Sequence, residues 1–410
     1  MRAACRPLNY HTGMTIPLSL YVHIPWCISK CPYCDFNSHP LPADKGRGEL
    51  PEADYQQALI TDLEQDAMLA GGRKIESVFF GGGTPSLFTA ESLHAVLTAA
   101  DELVGLSDSV EVTMEANPGA IEYHALTDYR EAGINRLSLG AQSFNDEHLR
   151  RLGRVHNSAG IGTAYAEARS AGFDNINLDL MYGLPGQTVI QALEDLNSAL
   201  ELGPEHLSHY HLTMEPGTLF GRKPPSDLPD DDVSWEMLAA GQRLLADAGF
   251  ARYEVSAYGR PGFNCRHNLN YWQFGDYLGI GAGAHGKLTA ADGTITRTMK
   301  PLKPAKYQRL ALQQPPDLRG SAVVSAADAR FEFMLNGMRL TGGVTPADFT
   351  VRTGQSPAAL SPGLAAARER GLLEPEASNS PVWRPTALGH RFLDDLQGLF
   401  LPAPDENNQA

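Results

Sequence analysis

Cys27, Cys31 and Cys34 place three thiols in one short stretch, and only Cys5 and Cys265 lie elsewhere in the chain. Thiolates are soft ligands that hold zinc, copper or iron–sulfur clusters. A structural zinc site wants four ligands, and no second pair of Cys or His stands at finger spacing nearby. His39 is a candidate fourth ligand for a zinc set. A [4Fe–4S] cluster generally takes four cysteines, so three leave one iron open to a small chelating molecule. Phe36, where a further cysteine is expected, cannot ligate. The odd count therefore reads as an open coordination position. Three crowded thiols with no metal are the plain alternative, but they would be reactive.

These cysteines follow "LSLYVHIP" (Leu18 to Pro25), the first of several β-rich runs that end in polar or glycine-rich loops and lead into helical stretches. A helix is expected around Tyr55 to Ala70. "SVFFGGGTPS" (Ser77 to Ser86) leads to a helix around Ala90 to Leu103, and "VEVTMEANPG" (Val110 to Gly119) to one near Ile121 to Ala132. "NRLSLGAQSF" (Asn135 to Phe144) precedes helical segments running to Ala171. "NINLDLMYGLPGQT" (Asn175 to Thr188) precedes a helix near Val189 to Leu202, and "HLSHYHLTMEPGT" (His206 to Thr218) supplies a sixth strand. Alternation of this kind specifies parallel strands joined by crossovers. Several strands read as apolar almost throughout, as when both faces of a sheet are covered. The expected fold class is α/β, a parallel (β/α) partial barrel. Its chemistry belongs at the carboxyl ends of the strands, where the unusual residues fall.

The remaining sequence sets the boundaries. The chain has 410 residues, 42% hydrophobic, with formal net charge −15, enough for one large domain and a smaller one. The acidic balance disfavours nucleic acid as a partner. No apolar run is long enough for a transmembrane segment, and the N-terminus lacks the apolar stretch of a secretory signal. Few, clustered cysteines indicate a reducing compartment, hence the cytoplasm. Residues 1–17 are expected to be a loose extension, with Met14 competing with Met1 as the start, and 18–300 the barrel core with its extension. A Pro- and Gln-rich linker is expected over 301–324. A helical, winged-helix-like C-terminal domain with a β-hairpin is expected over 325–401, and a tail over 402–410.

Cys27-x-x-x-Cys31-x-x-Cys34 resembles the signature of the radical S-adenosylmethionine (SAM) superfamily, in which SAM chelates the free iron of a [4Fe–4S] cluster. With "GGGTPS", "MEANPG", "GAQSF" and "NLDLMYGLPGQT", the chain resembles the group containing oxygen-independent coproporphyrinogen III oxidase (HemN) and the HemW haem chaperones, from about Leu18 to the C-terminus. The resemblance implies that Cys27, Cys31 and Cys34 hold the cluster. It places Tyr21 near the SAM–cluster site, and Tyr33 on the adenine. Gly82, Gly83 and Thr84 match the motif receiving the methionine amino group, where a strand-end carbonyl must approach without a Cβ in the way. Glu115, Gln142, Arg154 and Asp179 match further polar SAM contacts. Each has a duller explanation: a turn for the glycines, helix caps for Glu115 and Asp179, a solvated charge for Arg154, backbone satisfaction for Gln142.

Two features point to the HemW branch rather than to the oxidase. The oxidases carry a further cysteine where this chain has Phe36, and "CRHNLNYW" (Cys265 to Trp272) resembles the HemW His-Asn-x-x-Tyr-Trp motif. The resemblance implies haem as cargo, delivered to acceptor haem proteins, respiratory enzymes among them, with transient contact at membrane-bound clients and no oxidase activity expected. Histidine, cysteine and tyrosine all serve as axial ligands. His267 is the first choice for the iron and Cys265 the second, with Tyr271 and Trp272 as flat faces and Asn268 and Asn270 as hydrogen-bond partners. A core-closing role is the competing reading. "GDYLGIGAGAHG" (Gly275 to Gly286) imitates a dinucleotide fingerprint without its strand–crossover context, and is expected to serve close backbone packing. The aspartates of "LPDDDVSW" suit a helix N-terminus. The oxidase itself and a zinc-stabilised binding protein stand as the alternative functions.

Overall fold

The computed structural model describes residues 16–41, 50–119, 124–313, 318, 320–376 and 381–402. The expected N-terminal extension and tail thus lie almost wholly outside the described residues.

Six strands follow one another in chain order: β1 (Leu18–Ile24), β2 (Ile75–Gly82), β3 (Leu106–Ala116), β4 (Arg136–Gln142), β5 (Ile176–Tyr182) and β6 (His206–His211). Each pairs in parallel with the next, which obliges a crossover between them. The crossovers carry helices α1 (Glu52–Asp66), α2 (Ala90–Leu103), α3 (Leu126–Glu131), α4 (Asp146–Arg151), α5 (Ser158–Ser170) and α6 (Val189–Leu202). Side-chain caps start several of them. The Thr89 hydroxyl accepts from the Ser92 N–H at α2, Asn157 caps α5, and Thr188 with Gln191 forms a capping box at α6.

The strands are more two-faced than their sequences suggested. Leu18, Leu20, Val22 and Ile24 of β1 point to the helix layer and are fully buried with Tyr55, Leu59 and Leu63 of α1. The alternate residues are Ser19, Tyr21 and His23. The same division recurs as Leu137 and Leu139 against Arg136 and Ser138 in β4, and as Leu178 and Leu180 against Asn177 and Asp179 in β5. Burial on both faces is correct, but only one face is apolar. The inner face is polar and satisfied by side-chain hydrogen bonds, such as Ser19 to Ser77 at 2.7 Å and Ser138 to Asp179 at 2.8 Å.

A seventh parallel strand was hidden in the glycine-rich stretch. After α7 (Asp231–Asp247), the short strands β7 (Ala251–Arg252) and β8 (Ala257–Gly259), and α8 (Arg266–Trp272), the chain forms β9 (Asp276–Ile280) beside β1. The glycines serve close packing: a Cβ on Gly279 would lie 1.8 Å from the His285 carbonyl oxygen, and one on Gly281 2.5 Å from that of His23. Antiparallel β10 (His285–Thr289) and β11 (Ile295–Met299) extend that flank. The sheet order is β12-β11-β10-β9-β1-β2-β3-β4-β5-β6-β8-β7, with β12 being Gly320–Val323. Its two edges do not pair, which makes the barrel partial.

The stretch expected as a plain linker is largely built into the core. Its helix α9 (Pro304–Ala311) lies on α1, with Tyr307 donating to Asp62 at 2.8 Å. Lys300 is wholly buried between Asp62 and Asp66, 2.7 Å from the latter. Beyond β12, helices α10 (Ala326–Gly337), α11 (Pro346–Thr353) and α12 (Ser361–Glu369) enclose a second core of Phe333, Phe349, Leu364 and Trp383. Phe274 and Ile295 of the barrel extension complete that core. The expected hairpin appears as isolated antiparallel bridges, Leu373 to Pro385 and Val344 to Trp383.

The Lys300 triad predicts a pH-dependent cost. Burial pushes the Asp62 carboxyl up to about 6 against the pull of Lys300. Lys300→Met takes the paired cation from the fully buried Asp62 carboxylate, which should cost about 3–5 kcal/mol at pH 8. Protonation relieves an unpaired carboxylate, so the deficit should narrow at pH 5. Denaturant unfolding at both pH values checks this.

Candidate functional site

The cysteine loop is anchored at both ends by backbone. Trp26 and Cys27 pair in parallel with His39 and Pro40, the His39 N–H reaches the Pro25 carbonyl and the Leu41 N–H that of Cys27. Within the loop, Lys30 donates to the Phe36 and Ser38 carbonyls at 2.9 and 3.2 Å. Cys27, Cys31 and Cys34 are all free and partly exposed. Burial pushes the Cys27 thiol up, opposed by hydrogen bonds from Thr84 and Ser38. Arg154 donates to the Cys31 sulfur at 3.6 Å and to the Gly140 carbonyl at 2.8 Å, so a guanidinium stands against the thiols from the strand-end side.

The glycine turn after β2 meets this loop. The Gly83 N–H donates to the Ile24 carbonyl and the Thr84 N–H to the Trp26 carbonyl, both at 2.7 Å. A Cβ on Gly83 would sit 2.4 Å from the Trp26 oxygen, and Gly82 takes φ +113° with its Cβ position occupied by the His23 ring. Only glycine fits both places.

Cys27, Cys31 and Cys34 open on one cavity of about 370 Å³. Its walls include Tyr33 of the cysteine loop, Gly82, Gly83 and Thr84 at the end of β2, Glu115 and Gln142 at the ends of β3 and β4, Asp179 within β5 and Arg154 after α4. Gln142 ends β4 at φ +68°, where the pairing with β5 slips register. A non-glycine residue in that region is strained, and such strain gathers at functional sites. Glu115 accepts from the Gly82 N–H at 3.1 Å. Burial, reinforced by the charge of Asp179, lifts the Glu115 carboxyl to about 7. Asp179 is itself raised by burial, against hydrogen bonds from Ser138, Asn177 and Ser208. Two carboxyls thus share one desolvated wall opposite the thiols, an arrangement that favours a cationic guest.

Sequence reasoning missed part of this wall. Asn117, Ser138, Tyr210 and His211 also line the cavity. His156 holds Asn117 in place at 3.0 Å and is lowered by burial and by Arg154 to about 4, so it is neutral. Tyr210 was within reach of the sequence: β6 pairs in register with β5, so His206, Ser208 and Tyr210 stand beside Asn177, Asp179 and Met181.

Tyr21 lies apart from the first cavity. It lines a second cavity of about 270 Å³ with His23, Tyr271, Tyr277, Gly283 and His285. The two cavities meet at Phe36, Gly82 and Glu115, which line both.

The segment Cys265–Trp272 is mostly interior. His267 is 1% exposed, with Nδ1 3.1 Å from the Ser77 hydroxyl and the ring stacked on Phe79. Burial and Arg136 hold its imidazole down to about 3. Cys265 is fully buried, its thiol directed to Glu111 at 3.6 Å and pushed up to about 12 chiefly by burial. Neither expected iron ligand lines either of these two cavities. The Asn268 N–H donates to the Cys265 sulfur. Asn270 donates to Ser19 and to the Asp276 carbonyl. Trp272 packs towards the C-terminal core under the Arg339 guanidinium, 4.2 Å away. Of the expected haem contacts, Tyr271 lines the second of these cavities, and the others line neither.

Residues 21–199 match the radical SAM superfamily profile and residues 324–392 that of the HemN C-terminal domain. The chain is 46% identical over 385 residues to the heme chaperone HemW of Escherichia coli (strain K12), covering 94% of this chain and 98% of that protein. It is 35% identical over 388 residues to the heme chaperone HemW of Bacillus subtilis (strain 168), covering 93% and 99%. Among solved structures, the coproporphyrinogen III oxidase HemN of Escherichia coli, a radical SAM enzyme, superimposes with a TM-score of 0.77 at 23% identity, over 94% of this chain and 90% of that one. That likeness is one of fold.

The contact between the glycine turn and the loop generates a prediction that needs no cofactor. Gly83→Ala drives a methyl into the Trp26 carbonyl, so the loop must shift, at about 1–3 kcal/mol. Cys27 of the metal-free variant should alkylate faster with iodoacetamide, read by mass spectrometry. Gly162→Ala, in α5 with nothing within 4 Å of the added methyl, should leave Cys27 labelling unchanged and raise stability by about 0.5–1 kcal/mol.

Proposed function

The chain belongs to the HemW family within the radical SAM superfamily, and we propose that it is a haem chaperone that carries a [4Fe–4S] cluster and SAM and hands haem to acceptor haem proteins. One observation carries the cofactor part: three free thiols and eight further residues expected from the family pattern converge on a single cavity. The donor set fits the group. Three thiols supply the cluster's protein ligands and leave one iron for a chelating molecule. When bound, such a cluster supplies one electron to the SAM sulfonium.

The chain's own residues have separable tasks. Cys27, Cys31 and Cys34 hold the cluster, and Arg154 offsets negative charge on Cys31. The carbonyl-rich turn at Gly82, Gly83 and Thr84 receives the methionine amino group. Glu115 and Asp179 face the cationic part of SAM, Gln142 offers an amide, and Tyr33 a ring for the adenine. Tyr21 supports this site from the second cavity, where its hydroxyl holds His23 at 3.0 Å. Haem as cargo rests on the family, with Tyr271 as the motif's contact and His267, Asn268 and Trp272 positioning it. No described helix is long and apolar enough to cross a membrane. We place the work in the cytoplasm, with respiratory enzymes among the acceptors and membrane-bound clients met transiently.

Anaerobic reconstitution tests the reading. Iron and sulfide should bind in near-equal amounts, and Cys27→Ala should abolish cluster absorbance. Zinc without sulfide would support a zinc-stabilised binding protein instead. Haem-loaded protein mixed with an apo-acceptor should pass its haem on, followed by the acceptor's Soret band. Catalytic turnover of coproporphyrinogen III with matching deoxyadenosine would overturn the chaperone reading in favour of an oxidase.

Glu115 gives the SAM site a pH signature. Its carboxyl titrates near 7 and its ionised form attracts the SAM cation. Affinity should therefore rise as pH passes from 6 to 8, by about tenfold if only the ionised form binds. Glu115→Gln should bind more weakly at pH 8 and flatten the profile, measured by equilibrium dialysis.

A further inference from the structure

We propose that Ser38 raises the reduction potential of the cluster by donating its hydroxyl proton to the sulfur of Cys34. This rests on the [4Fe–4S] reading above and adds to it a residue that is neither a ligand nor an expected SAM contact. Ser38 stands in the limb of the loop that returns from the last cysteine, and it is 4% exposed. It lines the first cavity with the three thiols, its hydroxyl 3.6 Å from the Cys34 sulfur. No nitrogen or oxygen among the described residues pairs with that hydroxyl. A buried hydroxyl needs a partner, and here sulfur supplies it. In the free protein either atom of the pair can donate. A sulfur that ligates metal is a thiolate without a proton, so the hydroxyl is then the donor.

Each of the three sulfurs has its own donor. Arg154 serves Cys31 at 3.6 Å. Thr84 serves Cys27, which Ser38 also reaches. Cys34 has no second donor among the described residues, and a hydroxyl has one proton to give. Arg154 and Thr84 are also expected to meet SAM, whereas Ser38 answers to sulfur alone. Hydrogen bonds to the sulfurs are one of the levers that set an iron–sulfur potential. Reduction adds negative charge to the cluster, and a donor to sulfur stabilises the more negative state. The sign of the Ser38 effect is therefore upward.

A hydroxyl tunes a sulfur only if it is held still, and Asn37 holds it. The Asn37 Nδ2 donates to the Ala282 and Leu302 carbonyls at 2.8 and 2.9 Å. These bonds tie the limb to the chain just past β9 and just before α9. The Asn37 carbonyl accepts from Nε2 of His23 at 3.0 Å, and its Oδ1 lies 3.2 Å from Nε2 of His39. Lys30 donates to the Ser38 carbonyl at 3.2 Å. A Cβ on Gly283 would lie 2.6 Å from the Asn37 amide nitrogen, so glycine there is what lets the amide dock. The hydroxyl is thus carried on backbone fixed from β1, from the end of β9 and from within the loop.

Redox titration of the anaerobically reconstituted full chain, read by EPR of the reduced cluster without SAM, tests the assignment. Ser38→Ala should bind iron and sulfide as wild type does. At a poise set to the wild-type midpoint its reduced-to-oxidised ratio should fall about tenfold, a shift of about 59 mV towards negative potential for a one-electron couple. Ser38→Thr, which keeps the hydroxyl, should titrate as wild type does. An unchanged potential in cluster-loaded Ser38→Ala would overturn the assignment and leave the cluster and chaperone readings intact, and so would a Ser38→Thr that titrates like Ser38→Ala. Should Ser38→Ala hold no cluster, Ser38→Thr decides: wild-type iron, sulfide and potential support the hydroxyl, and loss of the cluster there too overturns it. Failure of wild type to bind iron and sulfide would remove the cluster reading and this role with it.

Discussion

The cysteine loop is held in place by the contact of two backbones. The turn at Gly82 to Thr84 donates two N–H groups into the strand that ends at Cys27, with no room for a Cβ between them. Everything proposed for the site depends on that contact. A loop carrying three thiols has no regular structure of its own, so its ligands are only as well placed as its anchors. Here the anchors are the Ile24 and Trp26 carbonyls at and just beyond the end of β1, met by N–H groups of the turn after β2, and both strand ends are fixed by the parallel ladder behind them. Each hydrogen bond contributes only about 1 kcal/mol. Their larger effect is positional: they hold the soft ligands and the polar strand ends on facing walls of one cavity.

The second consequence follows from the polar inner face. A closed eight-stranded barrel usually fills its interior with branched apolar side chains. This partial barrel instead lines its interior with Ser, Asn, Asp, Glu, His and Arg, and Ser138, Asn177, Asp179, His206 and Ser208 form one hydrogen-bonded group there. An apolar lining would offer a charged cofactor no partners. A polar lining open to water would leave the carboxyls near their ordinary range. Burial of a polar lining does neither: it raises Glu115 and Asp179 and so makes their charge conditional on what occupies the cavity.

Legibility in the sequence tracked the range over which each feature is specified. The six parallel strands and their helices were readable because β-rich runs, strand-end loops and caps are local. That the cysteines, Glu115 and Gln142 would face one cavity was readable because they follow β1 or close β3 and β4, whereas Asp179 lies within β5 and Arg154 follows α4. The glycine-rich stretch concealed β9, since glycine signals a turn until one knows that β10 crosses within 1.8 Å of where a Cβ would be. The linker was misjudged for a related reason. Its prolines argue for an extended connection, whereas Tyr307 within it and Lys300 just before it bind α1 residues more than 230 positions away in the chain. Nothing local marks Lys300 as a buried ion partner, or His285 as a rim residue. Both depend on sheet order.

The same long-range logic explains why the Cys265–Trp272 segment matters without touching the first cavity. Glu111 on β3 accepts the N–H groups of Arg266 and His267, at 3.1 Å each, so the start of α8 is capped from inside the barrel. The Cys265 N–H donates to the Tyr253 hydroxyl, which lies 2.8 Å from Nε2 of His206. His206 is held neutral by burial and by Arg136, so with Nδ1 donating to Asn177 at 2.6 Å its Nε2 accepts from Tyr253. Asn177 in turn donates to Asp179 at 2.9 Å. A continuous chain of hydrogen bonds thus runs from the segment across the barrel interior to a carboxyl on the cavity wall. Removing a link would strand a buried polar group, at about 1–3 kcal/mol, and loosen Asp179. The motif is thus joined to the first cavity through the barrel floor, and it carries Tyr271 on the wall of the second.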